Sequence, residues 1–367
     1  MKLVLALAAA GYAIGLAARA AEPPGVPANR IAALSPGINM AAPFYRPDTE
    51  PAPLVARIAA AGFRHVRLPV APGSLLDEEH PDRLKPEGVQ RLDATLDLLL
   101  HAGLAVSVDP HDPDKRLWTD PAYQDKFVAF WGALAKHLSR RDPDKVFLEV
   151  VNEPTMGTPE AWQALQGRIL TAMRRGAPRQ TLIATPNMLV SPGHWDQLAA
   201  LNKLKPYGDR NVVYTFHYYN PFWFTHQSAT WTNTPVKDMR QVPYPSSPEA
   251  VAAVMDKQQG DETKNLLRAY GEERWGAARI REDLQPYAEW ARRNKVPIYC
   301  GELGVYKAVS PQEDRLQWYR DVVAALRPDG IPWTIWDDGG GFGTFAPRAG
   351  GWTTDTALLK ALGMPQK

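Results

Sequence analysis

Short apolar runs alternate with amphipathic helical stretches from about residue 37 to the C-terminus. Eight of the runs have the length and residue types of buried strands: Gly37–Met40, Arg64–Leu68, Ala105–Asp109, Val146–Val151, Thr181–Ala184, Val212–His217, Pro297–Glu302 and Pro332–Trp336. Regular alternation of strands and helices along one chain is typical of parallel α/β folds. The pattern therefore predicts a parallel sheet covered by helices.

Several of the predicted helices carry clear start signals. A proline follows Asp120 and Thr158, and proline is favoured at the first position of a helix. Ser310, with Glu313 three residues later, has the spacing of a capping box. We therefore expect helices to begin at these three places.

Two arrangements of eight strand-helix units are common, the doubly wound sheet and the (β/α)₈ barrel, or TIM barrel. The Gly-x-Gly-x-x-Gly turn that usually follows the first strand of a doubly wound sheet is missing, which favours the barrel. Residues 37–367 are accordingly predicted to form a single catalytic barrel domain.

A long connection between the sixth strand and the sixth helix, residues 218–279, is rich in Pro, Trp and Tyr, and we expect a cleft wall with helical pieces there. A small second domain is the alternative, although no linker flanks the segment.

The N-terminus has the pattern of an export signal. Lys2 precedes an apolar run from Leu3 to Leu16, and the small-residue triplet that ends at Ala20 follows. An uncleaved membrane anchor is the alternative, but it usually needs about 20 apolar residues, and this run is shorter. The sequence predicts a signal peptide over residues 1–20, a Pro-rich lead-in over 21–36, and a secreted or periplasmic protein without membrane attachment after cleavage.

Charge argues against a polyanionic partner. Removal of residues 1–20 takes away Lys2 and Arg19 but no acid, so that 40 basic and 40 acidic residues remain. Nucleic-acid binders usually show a basic excess or a recognition motif, and neither is present. We expect an uncharged substrate, no nucleic-acid partner and a monomer. The single cysteine, Cys300, lies in an apolar run, which predicts a buried packing role and no disulfide.

Two predicted strands end in an isolated glutamate after an apolar run, VFLEVVNEP with Glu153 and VPIYCGELG with Glu302. In a barrel the chemistry sits at the carboxyl ends of the strands. Glycoside cleavage needs one carboxyl group that holds a proton and another that is ionised. These two glutamates are therefore the candidate catalytic pair, and we expect an apolar neighbourhood and the charge of Glu302 to raise the pKa of Glu153.

Strand alternation extends this prediction to neighbouring residues. If the strand stays regular, Glu149 shares a face with Glu153 and lies deeper in the barrel, where a buried carboxylate would orient its neighbours. By the same alternation, Cys300 lies on the face of Glu302, beneath it. Asp109, Asp112, Asp337 and Asp338 are assigned mainly to caps and loops.

An ordered set of motifs at the predicted strand ends resembles glycoside hydrolase family 5, of the cellulase, endoglucanase-like type. The set spans nearly the whole chain after residue 20: Arg67 in HVRLPV, Asn152-Glu153-Pro154, His217-x-Tyr219, Gly301-Glu302 and Trp336. Any one of these motifs is weak alone, and the specificity lies in their order on successive strands. The resemblance implies a retaining double displacement, with Glu153 as acid/base after the fourth strand and Glu302 as nucleophile after the seventh.

The resemblance also implies roles for the other strand-end residues. Asn152 would bond the sugar 2-hydroxyl, while Arg67 and Tyr219 would keep Glu302 ionised and oriented. The subsite of the reacting sugar would be lined by His111 and His217, with Trp336 stacked beneath that sugar.

The twelve tryptophans fall into two groups. Those within predicted helices are expected in the core: Trp131, Trp162, Trp290 and Trp318. Those in predicted loops are candidates for stacking on sugar rings along a cleft, with Trp223 the first choice: Trp118, Trp195, Trp223, Trp231 and Trp352.

The function expected from the sequence is an endo-β-1,4-glucanase that acts on a polysaccharide or oligosaccharide, without a cofactor. Mannan, xyloglucan and mixed-linkage glucan are alternative substrates, because the discriminating contacts lie in loops. A metal-dependent hydrolase would have to draw its ligands from His111, Asp112 and His217, since no His-Glu-x-x-His motif is present; we predict no metal site. A non-catalytic carbohydrate-binding barrel is the alternative of another class.

Overall fold

Eight parallel strands form one sheet in the computed structural model, which describes residues 25–191, 194–232, 234–348 and 351–365. The predicted signal peptide, residues 1–20, lies outside the described residues. We number the strands in chain order: β1 Gly37–Asn39, β2 His65–Val70, β3 Ala105–Pro110, β4 Val146–Glu149, β5 Leu182–Ala184, β6 Val212–Tyr218, β7 Ile298–Leu303 and β8 Thr334–Ile335. Their order in the sheet is β8-β1-β2-β3-β4-β5-β6-β7, and the predicted barrel is confirmed.

The barrel closes between β7 and β8 along a short seam. A single parallel bridge pairs Cys300 with Trp333. Two backbone N–H groups donate across the seam, Cys300 to the Pro332 carbonyl at 2.9 Å and Trp336 to that of Leu303 at 2.8 Å. The seam therefore has fewer backbone hydrogen bonds than the pair β2–β3, whose register covers six residues.

Helices of 10–18 residues surround the sheet: Pro51–Ala60, Pro86–His101, Pro121–Leu138, Pro159–Gly176, Asp261–Glu272, Ala277–Asn294 and Gln312–Leu326. Shorter helices lie between them: Ala28–Ala33, Ala42–Tyr45, Arg116–Thr119, Leu198–Lys203, Phe222–Thr225, Pro248–Ala252 and Thr356–Ala361. Two antiparallel hairpins complete the fold, Leu189–Ser191 with His194–Asp196, and Phe345–Arg348 with Gly351–Thr354. Among the described residues, no helix has both the length and the apolar character needed to span a bilayer.

The predicted helix starts are confirmed at two of three places. The side chains of Asp120 and Thr158 accept hydrogen bonds from the N–H groups of Ala122 and Ala161, as N-caps do. The prediction at Ser310 is wrong. The helix begins at Gln312 with Pro311 as its N-cap, and the buried Ser310 hydroxyl has no hydrogen-bond partner.

The end of the barrel away from the strand tips is sealed by apolar side chains. Leu34 packs there with inward-facing residues that include Phe147 and Tyr299, and Ile31 of the short helix Ala28–Ala33 covers them. Arg30 of the same helix donates to Asp144 at 2.7 Å. Part of the predicted lead-in therefore folds as a helix against one mouth of the barrel and leaves the opposite mouth free for a site.

The insertion over residues 218–279 contains the helical pieces that its sequence predicts, including 3₁₀ turns at Pro235–Asp238 and Met255–Lys257. Tyr244 connects it to the outer helix Gln312–Leu326, because its hydroxyl donates to Asp321 at 2.8 Å. Val236, Leu267 and Tyr270 are buried in the same core as the barrel strands. The insertion therefore shares the core of the barrel.

Candidate active site

A cavity of about 420 Å³ opens at the carboxyl ends of the strands. Six of the nine predicted site residues line it: His111, Asn152, Glu153, Tyr219, Glu302 and Trp336. Arg67 and His217 are buried within hydrogen-bonding distance of these residues. Eight of the nine predicted site residues, which come from six strands or their ends, therefore lie together.

A bulge between β6 and β7 directs Glu302 into this cavity. Phe216 pairs with Cys300, but the next residue, His217, pairs with Glu302, so Gly301 is an extra residue in β7. A side chain at Gly301 would not fit, since its Cβ would lie 2.6 Å from Thr215 Oγ1. The expectation that Cys300 lies beneath Glu302 is wrong, because the bulge breaks the alternation and Cys300 packs in the core outside the strands.

The two oxygens of Glu302 each accept a strong hydrogen bond. Arg67 Nη1 lies 2.6 Å from Oε1, and the Tyr219 hydroxyl lies 2.7 Å from Oε2. Glu302 is only 4 % exposed, so these donors replace most of its water. The arrangement suits a carboxylate that acts as an anion.

Arg67 is fully buried, and several carboxylates contact its guanidinium group. It binds Glu149 through two hydrogen bonds of 2.7 and 2.9 Å, and Asp109 lies 3.0 Å from Nη2. Burial acts to lower the pKa of Arg67, and the carboxylates outweigh it and hold the pKa well above its ordinary value. Glu149 is thus buried and hydrogen bonded, as the sequence predicts.

Glu153 follows a turn and does not continue the strand. β4 ends at Glu149, and Glu153 has a φ of 38°, in the left-handed region that non-glycine residues seldom occupy. Its Oε1 lies 2.6 Å from His217 Nδ1. The Glu153 side chain, 21 % exposed, reaches the cavity because of this turn, so the predicted alternation stops before it.

Burial raises the pKa of Glu153 to about 7. The nearby cations His111 and Arg67 oppose this shift, whereas Asp109 and Asp112 reinforce it. Glu302, expected to contribute, is not among the main causes. Burial also lowers the pKa of His217 to about 4, so its imidazole is neutral and adds no positive charge beside Glu153 at neutral pH.

Asn152 and His111 line the same cavity, and Asn152 Nδ2 lies 3.3 Å from His111 Nε2. The Asn152 side-chain oxygen accepts from Arg67 Nη2 at 3.0 Å, which fixes the amide. His111 Nδ1 lies 2.8 Å from Asp109 Oδ2, and the imidazole stacks on Trp336 at 5.4 Å between ring centroids. Trp336 is therefore held with its plane nearly parallel to that of His111.

The prediction for Trp223 does not agree with the structure. Trp223 lies in the helix Phe222–Thr225 with 8 % exposure, and it is not among the residues that line the cavity. A tryptophan between two phenylalanines on a short helix packs inward, because this buries the most apolar surface. Trp231 instead lines the cavity with 56 % exposure and lies 4.8 Å from the Tyr306 ring.

Two residues that contact Arg67 were missed at the sequence level, as were His226, Tyr306, Gly341 and Phe342, which line the cavity. Asp109, which we assigned mainly to caps and loops, is fully buried against Arg67 and His111. Its spacing of two residues from both Ser107 and His111 could have indicated an inward direction. Asn39 accepts from Arg67 at 3.0 Å and donates to the Gly301 and Ile335 carbonyls, each at 3.1 Å. Nothing in the short run around Asn39 indicates this role.

Glu153, His217 and Glu302 also have the proximity of metal ligands. One ligand atom from each lies within 4.8 Å of the other two. However, the cation of Arg67 is already bound to Glu302, and Glu153 is hydrogen bonded to His217. The same distances describe two carboxyl groups that face one sugar.

Comparisons with known proteins agree with this geometry. The family model Cellulase (glycosyl hydrolase family 5) matches residues 28–341. Endoglucanase C of Acetivibrio thermocellus is 28 % identical over 293 residues, which cover 77 % of this chain and 82 % of that protein.

Solved structures of the endoglucanase Cel5A of Thermotoga maritima are also similar. One with cellobiose is 27 % identical, with a TM-score of 0.72 over 91 % of this chain and 98 % of that chain. Another, described with mannotriose, is 26 % identical, with the same TM-score and the same coverage.

Proposed function

The chain belongs to the cellulase family of glycosyl hydrolases, family 5, and is a glycoside hydrolase; from this premise we propose that it is a secreted, retaining endo-β-1,4-glucanase. Glu153 is the proposed acid/base and Glu302 the proposed nucleophile. No cofactor is included in this proposal.

The separation of the two carboxyl groups is the observation that carries the proposal. An oxygen of Glu153 lies within 4.8 Å of an oxygen of Glu302. Retaining glycosidases hold their carboxyl groups about 5–5.5 Å apart, whereas inverting enzymes need roughly 6.5–9.5 Å to admit a water molecule. The short separation supports direct attack by one carboxylate on the sugar.

In the proposed first step, a Glu302 oxygen attacks the anomeric carbon of the reacting sugar. Glu153 gives its proton to the glycosidic oxygen as the bond from that oxygen to the anomeric carbon breaks. The products are a free sugar hydroxyl on the leaving group and a glycosyl ester on Glu302. A raised pKa suits this role, because Glu153 with a pKa of about 7 still carries its proton in mildly acidic solution.

In the second step, water replaces the leaving group. The ionised Glu153 takes a proton from the water, whose oxygen forms a bond to the anomeric carbon while the ester to Glu302 breaks. Both carboxyl groups return to their starting states. Two inversions at one carbon give net retention.

The remaining residues of the cavity position the sugar in this proposal. Asn152, held by Arg67, would bond the 2-hydroxyl, and His111 and His217 would line the subsite of the reacting sugar. Trp336 would stack beneath that sugar, and Trp231, the exposed tryptophan of the insertion, replaces Trp223 as the further stacking residue. We propose a monomer, with residues 1–20 removed on export.

Activity on a panel of polysaccharides tests the substrate class. Residues 21–367 would be assayed on β-1,4-glucan, mixed-linkage glucan, mannan and xyloglucan, with product lengths measured over time. We expect β-1,4-glucan to give the highest rate, with several product lengths early in the reaction. A preference for mannan, or release of one short product only, would contradict the glucanase or the endo assignment respectively.

Two controls separate catalysis from the competing explanations. Glu302→Gln should abolish turnover while sugar binding persists, whereas Glu160→Gln, an exposed glutamate in a neighbouring helix, should leave the rate unchanged. Full activity after exhaustive chelation is expected, and a lost rate that Zn²⁺ restores would support the metal-dependent alternative. Binding without turnover by the unmodified protein would support a non-catalytic carbohydrate-binding protein.

A further inference from the structure

Three buried carboxylates share Arg67, but only one of them lines the cavity. Glu302 faces the cavity, whereas Asp109 and Glu149 are fully buried behind it. Asp109 divides its contacts between Arg67 and His111. Glu149 hydrogen bonds through both of its oxygens to Arg67.

The geometry of the guanidinium group connects Glu149 to Glu302. Glu149 occupies the edge formed by Nε and Nη2, at 2.9 and 2.7 Å. Because the group is planar and rigid, fixing that edge also fixes the direction of Nη1, which lies 2.6 Å from Glu302 Oε1. A paired carboxylate on one edge therefore determines where the opposite nitrogen points.

We propose that Glu149 is a positioning residue for the nucleophile: it locks the guanidinium plane of Arg67 so that Nη1 holds Glu302 in the direction of attack. This inference rests on the proposed role of Glu302. Glu149 does not touch the substrate. Its effect on the reaction passes through Arg67, and it serves the step in which Glu302 attacks.

Glu149→Gln is the direct test, because it keeps the size of the side chain. An amide presents one oxygen and one NH₂ group to the two N–H donors of Arg67, so one hydrogen bond becomes a donor-donor contact. We expect kcat to fall by roughly 100-fold, comparable to the loss of a hydrogen bond to reacting charge, while KM changes less than about 3-fold. A folded Glu149→Gln protein with more than half of the original kcat would overturn the inference.

The leaving group distinguishes an effect on Glu302 from an effect on Glu153. The aryl oxide of an activated aryl glycoside leaves without a proton, so such a substrate restores the first step, measured by kcat/KM, in variants that lack only the acid. The loss in Glu149→Gln should persist with this substrate, since nucleophilic attack is still required. Recovery of the rate with the activated substrate would show that Glu149 serves the acid, and would reject the proposal.

A double-mutant cycle tests the route through Arg67. In an Arg67→Lys protein the two-bond pair is already lost, so adding Glu149→Gln should change kcat less than about 3-fold. Equal losses in both backgrounds would show that Glu149 acts independently of Arg67. If Glu149→Gln fails to fold, Glu149→Asp can be measured in the same assays instead. It retains both carboxylate oxygens, but its side chain is too short to hold them at the same place beside Arg67.

Asp321→Asn serves as the matched control. It removes another buried carboxylate, which lies on the outer helix Gln312–Leu326, accepts from Tyr244 at 2.8 Å and does not line the cavity. It should lower thermal stability without a change in kcat. Should the unmodified protein hydrolyse none of the glycans, the proposed function fails; an active parent with an equally active Glu149→Gln variant defeats the positioning role alone.

Discussion

The ends of β4 and β7 both present a glutamate to the same cavity, yet the two surroundings are opposite. At the end of β7, a guanidinium group and a phenol hydroxyl donate to Glu302. At the end of β4, the direct partner of Glu153 is a neutral imidazole, and burial raises the pKa of Glu153 to about 7. Both residues are glutamates, so the residue type does not distinguish them. The hydrogen-bond donors around each carboxyl group distinguish the proposed acid from the proposed nucleophile.

Among the changes that test this comparison, removal of the Glu302 carboxylate is expected to have the largest effect on kcat. Glu302→Ala should lower kcat by roughly 10⁴-fold or more, because no group remains to attack the sugar. Added azide should restore turnover by attacking from the vacated side, opposite the leaving group, which gives an α-glycosyl azide from a β-glycoside. Product configuration by NMR is the measurement, and a β-azide would contradict the assignment.

Glu153→Ala should give the opposite product. The glycosyl ester on Glu302 still forms with an activated leaving group, and azide then displaces it, so two inversions give a β-glycosyl azide. Turnover of unactivated substrates should fall by about 10²–10⁴-fold, the usual contribution of general acid-base catalysis. An equal loss of kcat/KM, which reports the first step, for activated and unactivated substrates would mean that Glu153 does not supply the proton.

Tyr219→Phe removes one of the two donors to Glu302 and leaves the ring in place. A hydrogen bond to a charged group contributes about 1.5–3 kcal/mol, which corresponds to roughly 10- to 100-fold in rate. Tyr207→Phe is the control, since its hydroxyl bonds Gln163 and Gln166 away from the cavity. Stopped-flow measurement of ester formation would check the prediction, and an unchanged rate would argue against this donor.

The pH profile should show the smallest of these effects. Glu153 must be protonated to donate, so kcat/KM on unactivated substrates should fall about tenfold per pH unit above its raised pKa of about 7. With an activated leaving group, which needs no proton, kcat/KM should change less over the same alkaline range. Identical alkaline limbs for both substrates would assign the ionisation to another group.

The order of strands and the strand-end residues could be predicted from the sequence, because both depend on local periodicity. The prediction that successive side chains point to alternate faces of a strand failed wherever the backbone departs from a regular strand. The turn at Glu153 and the bulge at Gly301 both change the direction of a side chain; the glycine is a signal for a bulge, whereas no residue type indicates the turn at Glu153. The two candidate glutamates, which lie on irregular backbone, were therefore predicted from their position at strand ends and not from the face of the strand to which they point.

Long-range packing explains the other differences. Trp223 and Trp231 are eight residues apart in one insertion, and only the folded path of that insertion decides which one faces the cavity. Asp109 belongs to this cluster because the long side chain of Arg67, on the neighbouring strand, reaches it, although Arg67 itself pairs with Ser107. Its assignment to loops followed from its place at the end of a run, where caps are equally common.

Asn39 gives the seam between β7 and β8 a further consequence. Its amide donates to a carbonyl on each side of the seam while its oxygen accepts from Arg67, so one small side chain joins this short seam to the buried guanidinium group. Separation of β7 from β8 would break both amide hydrogen bonds of Asn39, and Arg67 would then lose the support of this one acceptor while it keeps Glu149, Asn152 and Glu302. Opening of the barrel by heat at this seam should therefore also disturb the surroundings of Arg67.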